Sequence, residues 1–375
     1  MFLLACRRLI IYFLLLSWQS RRTPSNRLSM SRALEAEVKK SLASGNPVEA
    51  YDQISRILLS PPGVALLEFE ILAKSVPLPE GCYVLRDGHC VGISKLGLVQ
   101  AFLVARKALH GHQDGSEQRS DQEVLAATAV ILLMDPEHLT AANTRKRLLQ
   151  GQRKPGKSNF SASLRAEKFF LDSLLTSRLH RHTKSPTLWG HLQWLLPLFI
   201  SSGLPVDIQD DINKIVFTAG ERHPRNYYAW NHARYLLKLN GQPDTSTLQD
   251  LVDSVRTWCF QHHTDISGWT FFYVLLNATA PLDTASPRLV FSQVTKFAKS
   301  LRLTNESVWV FLRTLTASPL VGEEEYQEFL ALAEDLAEMS TQLEARSVLL
   351  SARKWCETYR SIVKPDPART TSGEP

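Results

Sequence analysis

Trp189, Trp230, Trp269 and Trp309 lie 41, 39 and 40 residues apart, each within an apolar stretch of helical period. A period of that size, filled by helix, turn and helix, marks an α-solenoid, in which each hairpin buries its apolar face against the next. A worn element precedes them. In LLMDPEHLTAANTRKRLL the tryptophan position falls to Ala142, 47 residues before Trp189, with Pro136 six residues upstream and Arg145 just downstream. Pro224 holds the same place before Trp230. The fold expected is all-α, a right-handed α-α superhelix of helical hairpins with the four tryptophans as its repeat core, each about two-thirds along its apolar stretch. A buried tryptophan offers roughly 150–250 Å² of contact and suits a wedge between helices.

The chain outside the repeat divides by composition. Residues 1–29 form an apolar and basic extension whose run from Leu9 to Leu16 is too short to span a bilayer; they match nothing in the repeat and are expected to be dispensable, with Met30 as an alternative translation start. A capped helix is expected after Met30. Residues 30–93 read as N-terminal helices and an irregular segment: a helix from Asn46-Pro47 to Pro61-Pro62-Gly63, then one short hairpin about Asp87-Gly88. Residues 94–362 are the helical-repeat domain, QGQRKPGKSN is an exposed loop within it, and 363–375 a disordered tail. GEEEYQEFLALAEDLAEM reads as an amphipathic helix with a solvated acidic face, and Thr341 as the cap of the last helix.

Charge narrows the function classes. Residues 1–30 carry five arginines and no acid, and the remainder holds 38 basic against 37 acidic side chains, so the body lacks the footprint of a nucleic-acid binder. The five cysteines contain no C-x-x-C, and a reducing, cytoplasmic setting is the default. Metalloprotease, dinucleotide, triphosphate and hydrolase motifs are absent from the sequence. His89-Cys90 with Cys82, and His262-His263 with Cys259 and Asp265, do not by spacing place three ligands around a metal, so none is assigned.

HPRNYYAWNHARYLL states the repeat most fully, with Pro224 as helix starter and Asn226 and Tyr227 in the first turn. It resembles the repeat of the α subunits of protein prenyltransferases, roughly P-x-N-Y-x-A-W-x-H-R, which Pro224, Asn226, Tyr227, Ala229, Trp230 and His232 match. The resemblance covers about residues 90–360. It departs at the His-Arg pair, which reads His191-Leu192, His232-Ala233, Phe271-Phe272 and Phe311-Leu312. The resemblance implies a crescent of hairpins wrapped around an α/α-barrel β subunit, which holds the zinc and the isoprenoid pocket. This chain would bind no cofactor itself. The implied heterodimer transfers an isoprenyl group, expected to be geranylgeranyl, to a C-terminal cysteine of protein substrates. It further implies that Arg225, Asn226 and Tyr227 face the isoprenyl diphosphate at the shared interface, where a guanidinium and a phenol would stabilise the departing charge. The competing class is a helical-repeat scaffold with no enzymatic partner. Convergence of Arg225, Asn226 and Tyr227 on the concave face discriminates the two.

Overall fold

The computed structural model describes residues 45–363, apart from 64, 74, 154–159 and 240–242. The 1–29 extension, the helix expected after Met30, the middle of the QGQRKPGKSN loop and the tail after Val363 lie outside the described residues. From Pro47 onward the described residues form one compact unit.

Helix α1 (Pro47–Leu58) packs against α2 (Lys95–Gln113) and α3 (Asp121–Met134), which are started by Ser94 and by a Ser120/Glu123 capping box. Between α1 and α2 lies a three-stranded sheet of β1 (Glu68–Leu72), β2 (Val84–Asp87) and β3 (Cys90–Ser94), ordered β1-β3-β2. The expected hairpin is β2 and β3, with Asp87 opposite Cys90 and Gly88 at positive φ in the turn. Strand β1 is the departure: it runs parallel to β3, with Phe69 opposite Val91, in a segment that reads as irregular. Its free edge is completed from far along the chain, because the N–H groups of Leu67 and Phe69 donate to Ser173 and Ser177 Oγ, both at 3.0 Å.

The repeats follow as hairpins: α4 (Leu139–Gln152) with α5 (Phe160–Thr176), and α6 (Pro186–Ser201) with a broken rod of α7 (Ile208–Asp211), a π-helical turn (Ile212–Val216) and α8 (Phe217–Arg222). Then come α9 (Tyr227–Leu239) with α10 (Thr245–Gln261), α11 (Ile266–Thr279) with α12 (Ser286–Ser300), and α13 (Glu306–Ala317) with α14 (Glu323–Met339). Helix α15 (Leu343–Val363) ends the stack, starting two residues beyond Thr341. Helices α4, α6, α9, α11, α13 and α15 contact one another in turn and form one layer, with their hairpin partners forming the other. The chain is a helical-repeat solenoid.

Each tryptophan is the fourth residue of its helix rather than two-thirds along a stretch, and Ala142 is the fourth residue of α4. At that depth the ring reaches back under the turn that precedes the helix. Trp189, Trp269 and Trp309 donate from Nε1 to the carbonyl six residues earlier, of Thr183, His263 and Leu303, at 2.8, 3.1 and 2.8 Å. All four rings are buried, and their ~150–250 Å² of apolar contact contributes roughly 4–6 kcal/mol each before entropy is counted. Each also meets the ring two positions after the next tryptophan: Trp189 with His232, Trp230 with Phe271 and Trp269 with Phe311, centroids 5.1, 5.4 and 5.0 Å apart. The His position of the repeat pattern is thus a packing slot, and phenylalanine fills it where histidine is lost.

Candidate functional site

The residue four before each tryptophan position precedes its helix, and from Ser185 onward it also joins that helix to the repeat before. His138 Nδ1 accepts from the Ala141 N–H at 3.1 Å. Ser185 accepts from the Leu188 N–H and donates to the Pro136 carbonyl, both at 3.1 Å. Asn226 accepts from the Ala229 N–H through Oδ1 and donates through Nδ2 to the Thr183 carbonyl at 2.6 Å. Asn305 donates to the His263 carbonyl at 2.6 Å. The carbonyls of Thr183 and His263 therefore accept both from their own tryptophan and from the asparagine of the following repeat. Pro224 does not start α9 as expected; Asn226 precedes it, and Pro224 stands six before the tryptophan, in the carbonyl rung.

Asp265 occupies the same place but has no proton to donate. Its Oδ1 accepts from the N–H groups of Ser267 and Gly268, and its Oδ2 takes the N–H of Arg225 at 2.5 Å. To offer that N–H, the Pro224–Arg225 peptide turns over, and Arg225 adopts φ +60. The carbonyl of the same peptide turns the opposite way. The Pro224 oxygen then lies 3.2 Å from His223 Nδ1, and Trp230 Nε1 is buried without a partner. A non-glycine residue in this region costs about 1–3 kcal/mol and marks a constrained site.

Of the three residues singled out in the sequence, Arg225 and Tyr227 are exposed and Asn226 is buried. Tyr227 is 63% exposed, with the Tyr228 ring edge-on at 5.6 Å. Arg234, two turns further along α9, is half-buried, and burial lowers its pKa. Arg225 and Tyr227 thus stand on the surface at the start of α9, whereas Asn226 serves the junction between repeats.

Two buried ionic groups were not singled out in the sequence. Arg145 forms a forked pair with Glu167, at 2.8 and 2.6 Å, donates to the Leu125 carbonyl at 2.7 Å, and lies 4.4 Å over the Phe170 ring. Burial would raise the Glu167 pKa, but the guanidinium overcomes it and holds the carboxyl below its usual range. His191, 3.5 Å from Glu167, is pushed down to about 4 by burial. Lys168 bridges Asp172 and Asp211 at 2.8 and 2.7 Å, joining α5 to α7. Burial opposes its charge, but the two carboxylates keep it protonated, while burial pushes Asp172 up to about 6. Arg145 had a sequence signal, since it falls three after Ala142, at the arginine of the family pattern; the Lys168 group had none.

Among the described residues, Glu68, His89 and Cys90 bring donor atoms within 4.8 Å of one another, a grouping that strand β1 creates. Glu68 Oε1 already accepts from Arg178 at 2.5 Å and Arg222 at 3.1 Å, so two cations share this carboxylate. The second histidine-cysteine stretch is dispersed: Cys259 is buried, the His262 ring stacks on Trp258 at 4.2 Å, and Asp265 serves the junction described above. No helix among the described residues is long and apolar enough to cross a membrane.

Two layers of hairpins, with a tryptophan in the first turn of four of the six helices of one layer, define a helical-repeat protein, the architecture expected from the resemblance to the prenyltransferase α subunits. Comparison with known proteins bears out the resemblance to that family. The chain is 29% identical over 185 residues to Protein prenyltransferase alpha subunit repeat-containing protein 1 of Danio rerio, covering 44% of this chain and 40% of that protein. It is 30% identical over 175 residues to the Homo sapiens protein of the same name, covering 42% and 40%. It is 27% identical over 152 residues to Protein ECM9 of Saccharomyces cerevisiae, covering 40% and 39%. Residues 188–286 match the family described as ECM9 middle domain. The chain spans about 40% of the length of these curated relatives.

Proposed function

We propose that this chain is the α-type subunit of a heterodimeric protein prenyltransferase, supporting a catalytic β subunit that carries zinc and the isoprenoid pocket. The supporting observation is the Pro224–His232 stretch, which carries the family pattern and sets Arg225 and Tyr227 on the surface at the start of a tryptophan helix. A fixed guanidinium and a phenol there suit the negative charge that develops on a leaving isoprenyl diphosphate. The substrates would be proteins with a C-terminal cysteine, the group transferred geranylgeranyl, and the compartment the cytoplasm. The β subunit would engage the exposed face of the tryptophan layer. A second reading, a helical-repeat scaffold without an enzymatic partner, is favoured by the burial of Asn226, which leaves two surface residues where three were expected.

Co-expression with prenyltransferase β subunits of the same organism tests the proposal. A stable 1:1 complex that transfers geranylgeranyl is the expected result. In that complex Tyr227→Phe and Arg225→Ala should lower turnover by about tenfold or more without loosening the β subunit. A chain that remains a monomer with every β subunit leaves the scaffold reading in its place.

A further inference from the structure

On α4, α6, α9, α11 and α13 the residues three before and one, four and five after the tryptophan position are exposed or half-buried and form one outward face of the layer. At four after, the successive helices carry Lys146, Gln193, Arg234, Tyr273 and Arg313, all half-buried. Among the described residues the three cations have no hydrogen bond or ion pair. Lys146 Nζ lies 5.5 Å from the Trp194 ring, and the Arg313 guanidinium 4.8 Å from that of Trp355. Arg313 Nε is fully enclosed without a partner. Burial lowers the pKa of all three, so each cation is partly stripped of water, and for Lys146 and Arg313 a ring face rather than a carboxylate is the compensation. Glu306, at the margin of the face, attracts Arg313 electrostatically but forms no ion pair with it. A half-desolvated cation without a counter-ion is costly alone and useful once an anion arrives.

The cations recur on alternate helices. Neighbouring helices in a packed layer lie ~8–10 Å apart, which puts successive cations roughly 16–20 Å from one another. At a rise of 1.5 Å, that distance on an α-helix is about 11–13 residues, and 11 residues is close to three whole turns, so carboxylates at this interval share one face. We propose that the face receives an acidic α-helix of a partner protein, laid across the tryptophan helices with carboxylates about 11 residues apart. Trp194, Tyr235 and Tyr273 supply the apolar contact between the charge pairs. The inference deepens the reading in which a partner subunit covers this face and names what that partner must present.

The test uses the purified full chain and a labelled, alanine-rich helical peptide of about 26 residues bearing glutamates eleven apart, read by fluorescence anisotropy. Two controls carry glutamine at those sites or glutamates seven apart. The expected result is binding of the first peptide, at least about tenfold weaker binding of both controls, and a similar loss in Arg234→Gln/Arg313→Gln chain whose melting is unchanged. Absence of binding, equal binding of the seven-residue control, or wild-type affinity in the folded variant overturns the proposal. So does displacement of the peptide by a single-stranded oligonucleotide at lower concentration than by unlabelled peptide. Because no β subunit is present, failure here leaves the co-expression result intact, and the reverse also holds.

Discussion

His232 is fully buried, packs at a tilt against Trp189, and has neither ring nitrogen hydrogen-bonded. Burial pushes its pKa down to about 3, against about 6.5 in an unfolded chain. A histidine depressed in this way binds protons in the unfolded state first, so stability is full above the unfolded value and is lost as pH falls below it. The loss from this ring is about 2 kcal/mol at pH 5. His182 and His191, both near 4, add losses of the same sign, while Asp172, raised by burial, works against them. Phe271 and Phe311 fill the equivalent slots, so His232→Phe should fold with a stability at pH 7 within about 1.5 kcal/mol of wild type. Urea midpoints at pH 7 and pH 5 should show the acid loss reduced by about 2 kcal/mol; an unchanged acid loss would place the sensitive proton elsewhere. The slot was legible in the sequence only as a departure from a His-Arg pattern. Its meaning, a ring under the preceding tryptophan, needed the neighbouring repeat.

The junction between repeats has two forms. Where the residue before the tryptophan helix can donate, as with Ser185, Asn226 and Asn305, it bonds a carbonyl one repeat back; where it is Asp265, the preceding peptide must present an N–H instead. Asp265→Asn should reverse this. The new amide can donate to the Pro224 carbonyl, Arg225 can leave positive φ, and Trp230 Nε1 can recover an acceptor. Relief of about 1–3 kcal/mol of backbone strain should offset the lost charged hydrogen bond, giving a melting temperature equal to or above wild type. A crystal structure would show φ at Arg225 negative. If Arg225 acts on a diphosphate, the same variant should lose turnover while gaining stability, a split that loss of packing does not produce. The opposite outcome holds for the forked pair between α4 and α5. Glu167→Gln leaves Arg145 buried without its counter-charge and should cost about 3–5 kcal/mol in chemical denaturation. Helix positions and the six-residue step from proline to tryptophan were legible from the sequence, because capping and periodicity are local. The Arg145–Glu167 and Lys168–Asp211 pairs were not, because their members lie 22 and 43 residues apart on different helices.

At the scale of the molecule, each tryptophan helix touches mainly the helices beside it, so stability should be distributed repeat by repeat. The N-terminal sheet is the exception. Ser173 of α5 and Ser177 just beyond it complete β1, and Arg178 and Arg222 converge on Glu68, tying strand to repeats more than 100 residues away in sequence. That dependence explains why β1 could not be read from EFEIL alone: one edge of the strand is hydrogen-bonded by serine side chains more than 100 residues away. It also divides the chain into a sheet-anchored half and a free-ending half. Trp309→Ala should cost about 3–5 kcal/mol, and the loss should fall on the helices around it. Amide hydrogen exchange should show protection lost in α11 to α15 but kept in α3 to α6 and the sheet. Trp189→Ala, placed beside the anchored repeats, should carry the sheet with it and expose the amides of Leu67 and Phe69 together with α5. Uniform loss of protection across the whole chain in both variants would mean that the repeats unfold as one body, and that the partner surface could not be loosened at one end while remaining organised at the other.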